Sequence, residues 1–128
     1  MSEQRVLVVE DEDEVRAIFS SVLIDAGYDI DVAAGVEQAQ ALLAKSHYAL
    51  VISDWWLSDG IGMTIVDEAA DLGAKTILMS GYVQQLLGDK TRHTLLRKPL
   101  SPSDFVAAVR QAVGNPAVTA EKSEPGAA

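Results

Sequence analysis

YALVISDWWLSDGIG, Tyr48 to Gly62, is the stretch on which the fold turns. Residues 48–53 carry no charge, and the run then delivers one carboxylate, Asp54. A short, unbroken apolar run marks a strand covered on both faces, which is the habit of a parallel sheet. Asp54 then stands at the strand's carboxyl end. Two tryptophans, Trp55 and Trp56, and a loop bearing Ser58, Asp59, Gly60 and Gly62 follow it.

The flanking sequence repeats the alternation. Arg5–Val9 is a second continuously apolar strand. Val15, Ile18, Phe19, Val22, Leu23 and Ala26 then recur at helical spacing, and Gly27 supplies a stop. Tyr28–Ala33 alternates as a strand with one wetter face, nearer a sheet edge. Val36, Ala39, Leu42 and Leu43 outline a second helix. Beyond the Asp54 loop the spacing predicts a helix over Thr64–Leu72, ended by Gly73, and a buried strand over Lys75–Met79. Residues 83–90 give only a weak helical signal. His93–Lys98 is a fifth strand, and a last helix follows. Ser101 caps it, Pro102 fits its first position and Asp104 suits its positive end. Phe105, Val106, Val109 and Val113 face inward, and Gly114 stops it.

Five strands alternating with five helical segments imply an α/β fold, a doubly wound (βα)5 parallel sheet. A flavodoxin-like strand order, 2-1-3-4-5, makes strands one and three neighbours at the topological switch point. Residues 1–114 are expected to form one domain. The remainder, NPAVTAEKSEPGAA (115–128), has no periodicity and reads as a disordered tail.

Composition narrows the function. The chain has 128 residues, is 48% hydrophobic and carries a net charge of −9, which disfavours nucleic acid and anionic membrane as partners. It has no cysteine and two histidines, so thiolate and His-rich metal sites are out; His47 and His93 receive no role. The first residues lack the pattern of a signal peptide, and no apolar run approaches the roughly 20 residues that cross a bilayer. A cytoplasmic location is expected.

The chemistry gathers at strand ends. The first strand ends in Glu10 and Asp11, the third in Asp54, the fourth in Ser80 and the fifth in Lys98. The expected strand order brings these together in one cleft. Carboxylates so placed repel one another, and a divalent cation relieves the repulsion. All the ligands are oxygens, which suits Mg²⁺ shared with a phosphoryl group. Lys98 adds a positive charge and Ser80 a hydrogen-bond donor. The set suits an aspartate that attacks a phosphoryl donor and becomes an aspartyl phosphate. Each residue also has an ordinary role: acids favour a helix start, Asp54 and Ser80-Gly81 suit turns, Lys98-Pro99 suits a strand exit. Those roles do not explain why all fall at carboxyl ends of different strands.

VLVVEDEDEVR, VISDWWLSDGIGM, ILMSGY and LLRKPLSPSDF, in that order, resemble bacterial response-regulator receiver (CheY-like) domains, over roughly Arg5–Gly114. The resemblance implies Asp54 as phosphoacceptor, with Glu10 and Asp11 as the acid pair holding Mg²⁺. It implies the Trp56 backbone carbonyl as a third protein ligand, Ser80 as the hydroxyl that turns toward the phosphate, and Lys98 as its lysine. It further implies a cis Lys98–Pro99 bond. A histidine kinase or phosphotransfer protein would supply the phosphoryl group, and a downstream protein would read the outcome. The chain would be no enzyme beyond its own phosphorylation and dephosphorylation.

Four departures stand out. Ser58 replaces the family's loop proline, and Leu95 replaces its fifth-strand switch aromatic. The Asp54–Ser80 interval is short, so the third helix is expected to be clipped. The fourth helix is poor. Tyr82 is a substitute switch residue beside Ser80 and Leu95. Trp56 and Tyr82 would flank the phosphate and exclude water, giving slow dephosphorylation. With nothing after Gly114 to form an output domain, a stand-alone receiver is expected, or one cut from a hybrid kinase.

Three other readings remain. A flavin carrier would need a phosphate-cradling loop where EDEDE stands. An aspartate-nucleophile phosphatase would need a second Asp at the place of Trp56. A degenerate receiver would bind partners without phosphorylation.

Overall fold

A computed structural model describes residues 5–81 and 92–116. In chain order the elements are β1 (Val6–Val9), α1 (Asp13–Asp25), β2 (Ile30–Ala33), α2 (Val36–Lys45), β3 (Leu50–Asp54), β4 (Trp56–Leu57), β5 (Gly60–Ile61), α3 (Gly62–Asp71), β6 (Lys75–Ser80), β7 (Thr94–Arg97) and α4 (Pro102–Val113). β2-β1-β3-β6-β7 form one five-stranded sheet, every pair parallel. Counted over these five strands, this is the expected 2-1-3-4-5 order. Four helices lie among the described residues. The weak helix expected over 83–90, Tyr82, and the tail from residue 117 lie outside them.

Period-two alternation explains the two faces. Val6, Val8, Leu50 and Ile52 pack with Phe19 and Leu23 of α1 and with Phe105 and Val109 of α4. Leu7, Val9 and Val51 point the other way, onto Ala39 and Leu43 of α2 and Ile65 and Ala69 of α3. Phe19 and Phe105 stack at 4.1 Å with 14° between their planes, joining the first and last helices. All four residues of β1 are fully buried, each worth about 1.5–3 kcal/mol. That burial makes the central strands a rigid mount for whatever stands at their ends.

Several boundaries move, for physical reasons. β2 and β3 begin at Ile30 and Leu50, two residues later than the alternation suggests. The preceding tyrosines are buried but spend their hydroxyls on other elements. Tyr28 donates to the Gly114 carbonyl at 2.7 Å and Tyr48 to Asp31 Oδ2 at 2.6 Å. Asp31 also receives Arg5 at 3.1 Å. Ile18 falls in the predicted α1 stripe but is 52% exposed. At 100° per residue it lies roughly 80° from the centre of the other five positions. His93 is buried: Nδ1 shares a hydrogen bond with Thr76 Oγ1 at 2.5 Å, and Nε2 with Asp67 Oδ1 at 2.7 Å. It ties the start of β7 to β6 and α3. Ser101 caps α4 as expected, accepting from the Asp104 N–H at 3.0 Å.

The hairpin β4–β5 has no counterpart in the sequence pattern. Trp56 pairs with Ile61 and Leu57 with Gly60 in antiparallel register, leaving Ser58-Asp59 as the turn. α3 starts directly after it, at Gly62 instead of Thr64.

Candidate functional site

The cleft lies at the carboxyl ends of β1, β3, β6 and β7. Asp54 is the last residue of β3 and is 9% exposed. Two backbone bonds fix the chain immediately after it. The Trp55 N–H donates to the Met79 carbonyl at 2.8 Å, and the Gly62 N–H donates to the Trp55 carbonyl at 2.7 Å. Only glycine fits at position 62, because a Cβ there would stand 2.0 Å from the Asp54 carbonyl oxygen and 2.5 Å from Ser53 Oγ.

Glu10 follows β1 and is almost wholly buried. Its backbone carbonyl accepts from Arg16 at 2.8 Å, and its Oε2 accepts from the Glu12 N–H at 3.2 Å. Glu10, Asp11 and Asp54 each offer a carboxylate oxygen within 4.8 Å of the others. Lys98 follows β7, and its Nζ donates to Asp54 Oδ1 at 3.2 Å and to Glu10 Oε1 at 3.4 Å. The Lys98–Pro99 bond is cis. Ser80 ends β6, buried, and its carbonyl accepts from the Lys98 N–H at 3.3 Å.

The electrostatics follow from crowding. Burial, and then repulsion from Asp54, raises the pKa of Glu10 above the ordinary carboxylate value. Burial also raises that of Asp54, against the pull of Lys98. For Lys98 burial works downward, but attraction to Asp54 and Glu10 outweighs it and the ammonium is held above its usual value. One ammonium thus bridges two of the three clustered carboxylates. The donor set is all oxygen, which is the chemistry Mg²⁺ selects.

Of the expected site residues, Glu10, Asp11, Asp54 and Lys98 come together, with Ser80 at the end of the adjoining strand. Trp56 begins β4, two residues past Asp54, with a side chain 57% exposed. Trp55 is buried, packed in a small cluster with Val66 and Leu78, against which Met63 and Leu95 rest. The two rings meet edge to face at 6.1 Å. Leu95 thus rests against the Trp55 cluster. The sequence reading missed Asp59, whose carboxylate accepts from two amides of α2. Its signal was the capless Gly35-Val36 helix start.

A parallel sheet in this order, with an acid cluster and a lysine at its switch point, defines the class: a flavodoxin-like α/β domain with an oxygen-rich acidic cleft. Residues 6–110 match the family model described as the response regulator receiver domain. The chain belongs to that family, whose members serve two-component systems and bind Mg²⁺ in an acidic pocket. An NtrX-like response regulator of Rickettsia bellii is 36% identical over 81 residues, 60% of this chain and 17% of that one. The chain thus spans well under two thirds of that relative. The receiver domain of the hybrid histidine kinase CckA superposes with a TM-score of 0.70 at 30% identity, covering 85% of this chain and 98% of that one. The chemotaxis response regulator CheY4 of Vibrio cholerae gives 0.76 at 22% identity, covering 86% and 98%. Among the described residues no helix is long and apolar enough to cross a membrane.

Proposed function

We propose that this chain is a phosphorylation-dependent switch of a two-component phosphorelay. Asp54 attacks the phosphoryl group presented by a histidine kinase or phosphotransfer protein. The bond to the donor nitrogen breaks as the bond to the Asp54 carboxylate oxygen forms. The aspartyl phosphate then changes binding to a downstream protein. The observation that carries this is the Lys98 ammonium spanning Asp54 and Glu10 inside a cleft of three carboxylates.

Each residue has a part. Glu10, Asp11, Asp54 and the Trp56 carbonyl would hold Mg²⁺, which when bound supplies positive charge against the phosphoryl oxygens. Lys98 holds the Asp54 carboxylate in place and can follow the charge onto the phosphate. The Ser80 hydroxyl can donate to a phosphoryl oxygen, with Tyr82 and Leu95 completing the response. The large exposed ring of Trp56 stands two residues from the acceptor, where it would hinder attacking water. Catalysis is confined to the chain's own Asp54. Residues 1–114 act as the receiver unit and 115–128 as an extension, in the cytoplasm; the net charge of −9 supports protein partners over polyanions.

Mass spectrometry after incubation with acetyl phosphate and Mg²⁺ tests the reading. One phosphoryl group should be gained by the wild type and none by Asp54→Asn. Absence of the gain in the wild type would leave the degenerate receiver as the better account.

A further inference from the structure

The loop after Asp54 is fastened to a helix that contributes nothing to the cleft. α2 starts at Val36 behind Gly35, which has no side chain to cap it. Its first amides find their acceptor in another part of the chain. The Val36 N–H donates to Asp59 Oδ1 at 2.7 Å, and the Glu37 N–H donates to Asp59 Oδ2 at 3.1 Å. A carboxylate at the positive end of a helix is favourable, and both hydrogen bonds are charge-assisted. The approach is close from both sides. A Cβ on Gly35 would lie 2.5 Å from Asp59 Oδ1, and one on Gly60 would lie 2.9 Å from Val36 Cγ2.

Asp59 sits in the turn of the hairpin whose first residue is Trp56. That hairpin has two residues per strand. Isolated hairpins are marginal in water even when longer, so this one needs an external anchor. Ser58 supplies none of the rigidity a proline would bring at the same place. Leu57 of the hairpin's first strand is buried against α2 and α3, and the two Asp59 bonds are the hydrogen bonds by which the turn itself holds another element among the described residues.

We propose that Asp59 is a positioning residue for the Asp54 site. By gripping the α2 N-terminus it sets the Trp56 backbone beside the acid cluster, taking over the restraint that Ser58 lacks. The inference rests on the proposed Mg²⁺-dependent phosphorylation and adds a residue that touches neither ion nor phosphate. Without the grip the hairpin can shift, while Glu10, Asp11, Asp54 and Lys98 stay on their strands.

Both tryptophans directly follow Asp54, so Mg²⁺ titration of the full chain can be followed by intrinsic fluorescence, with acetyl phosphate labelling followed by mass spectrometry. Asp59→Ala should weaken Mg²⁺ by about tenfold, the usual cost of removing a supporting residue, and slow labelling. Gly35→Ala, which crowds the carboxylate without altering it, should act the same way. Asp59→Asn keeps an acceptor for the shorter bond and should recover part of the loss. Gln38→Ala is the control for helix stability, since Gln38 Oε1 accepts from the Ala34 N–H at 2.7 Å, a bond within the α2 start and not to the hairpin. It should lower the melting temperature and leave Mg²⁺ affinity near wild type. Wild-type affinity in Asp59→Ala would overturn the inference, as would an equal loss in Gln38→Ala. A wild type that neither binds Mg²⁺ nor takes label would overturn the proposed function itself, and this inference with it.

Discussion

Lys98 and Asp54, 44 residues apart in sequence, meet at 3.2 Å at the ends of strands that do not adjoin. β6 lies between β3 and β7, so the lysine reaches across a whole strand to the carboxylate. The same ammonium reaches Glu10 at 3.4 Å. Replacing Lys98 with Ala leaves three carboxylates facing one another without it. Acetyl phosphate labelling of Lys98→Ala should fall by at least about tenfold, a factor equivalent to about 1.4 kcal/mol of transition-state stabilisation. Labelling at the wild-type rate would remove Lys98 from the proposed mechanism.

Mg²⁺ should stabilise the fold. Binding to the native cleft alone adds about 1.4 kcal/mol when the ion is at about ten times its dissociation constant. The melting temperature should therefore rise on adding MgCl₂ and return with EDTA. In Asp54→Asn the rise should shrink, because one ligand charge is gone. Equal shifts in both proteins would place the ion elsewhere.

Trp56 separates lifetime from stability. Its side chain is more than half exposed, and exposed substitutions usually change stability by less than about 0.5 kcal/mol. Trp56→Asn should melt close to wild type yet lose its phosphoryl group several-fold faster. An unchanged decay, timed by mass spectrometry of purified phosphoprotein, would count against the water-excluding role.

Tyr48 gives a pH signature far from the cleft. Burial, and then the hydrogen bond to Asp31, pushes its phenol up to about 12. An unfolded tyrosine titrates near about 10. The folded state holds the proton more tightly, so this contribution is full below the unfolded value and is lost as pH rises through the folded one. Denaturation midpoints between roughly pH 10 and 12 should fall more steeply in wild type than in Tyr48→Phe. Parallel curves would show that Tyr48 does not carry the effect.

Most of the cleft was legible in the sequence because its residues follow apolar runs. A run such as Leu50–Ser53 states both that a strand exists and where it ends, and Asp54 marks that end. Glu10, Asp11, Ser80 and Lys98 were found the same way. What stayed hidden depends on contacts between distant segments. Asp59 reads as a turn residue until Gly35 and Val36 lie beside it. His93 looks idle until Thr76 and Asp67 flank its ring. The hairpin is too short for any two-residue period to register, and Ile18 differs from its stripe only by an angle on the helix.

The bond from the Tyr28 hydroxyl to the Gly114 carbonyl has a practical meaning. It clips the last turn of α4 to the entry of β2, at the amino ends of the strands, whereas Asp54 stands at the carboxyl ends. Cargo joined just beyond Gly114 would leave from the pole opposite Asp54. A fluorescent protein or surface tether attached there should therefore leave the phosphoryl donor's approach open, and the domain could report its own modification while immobilised.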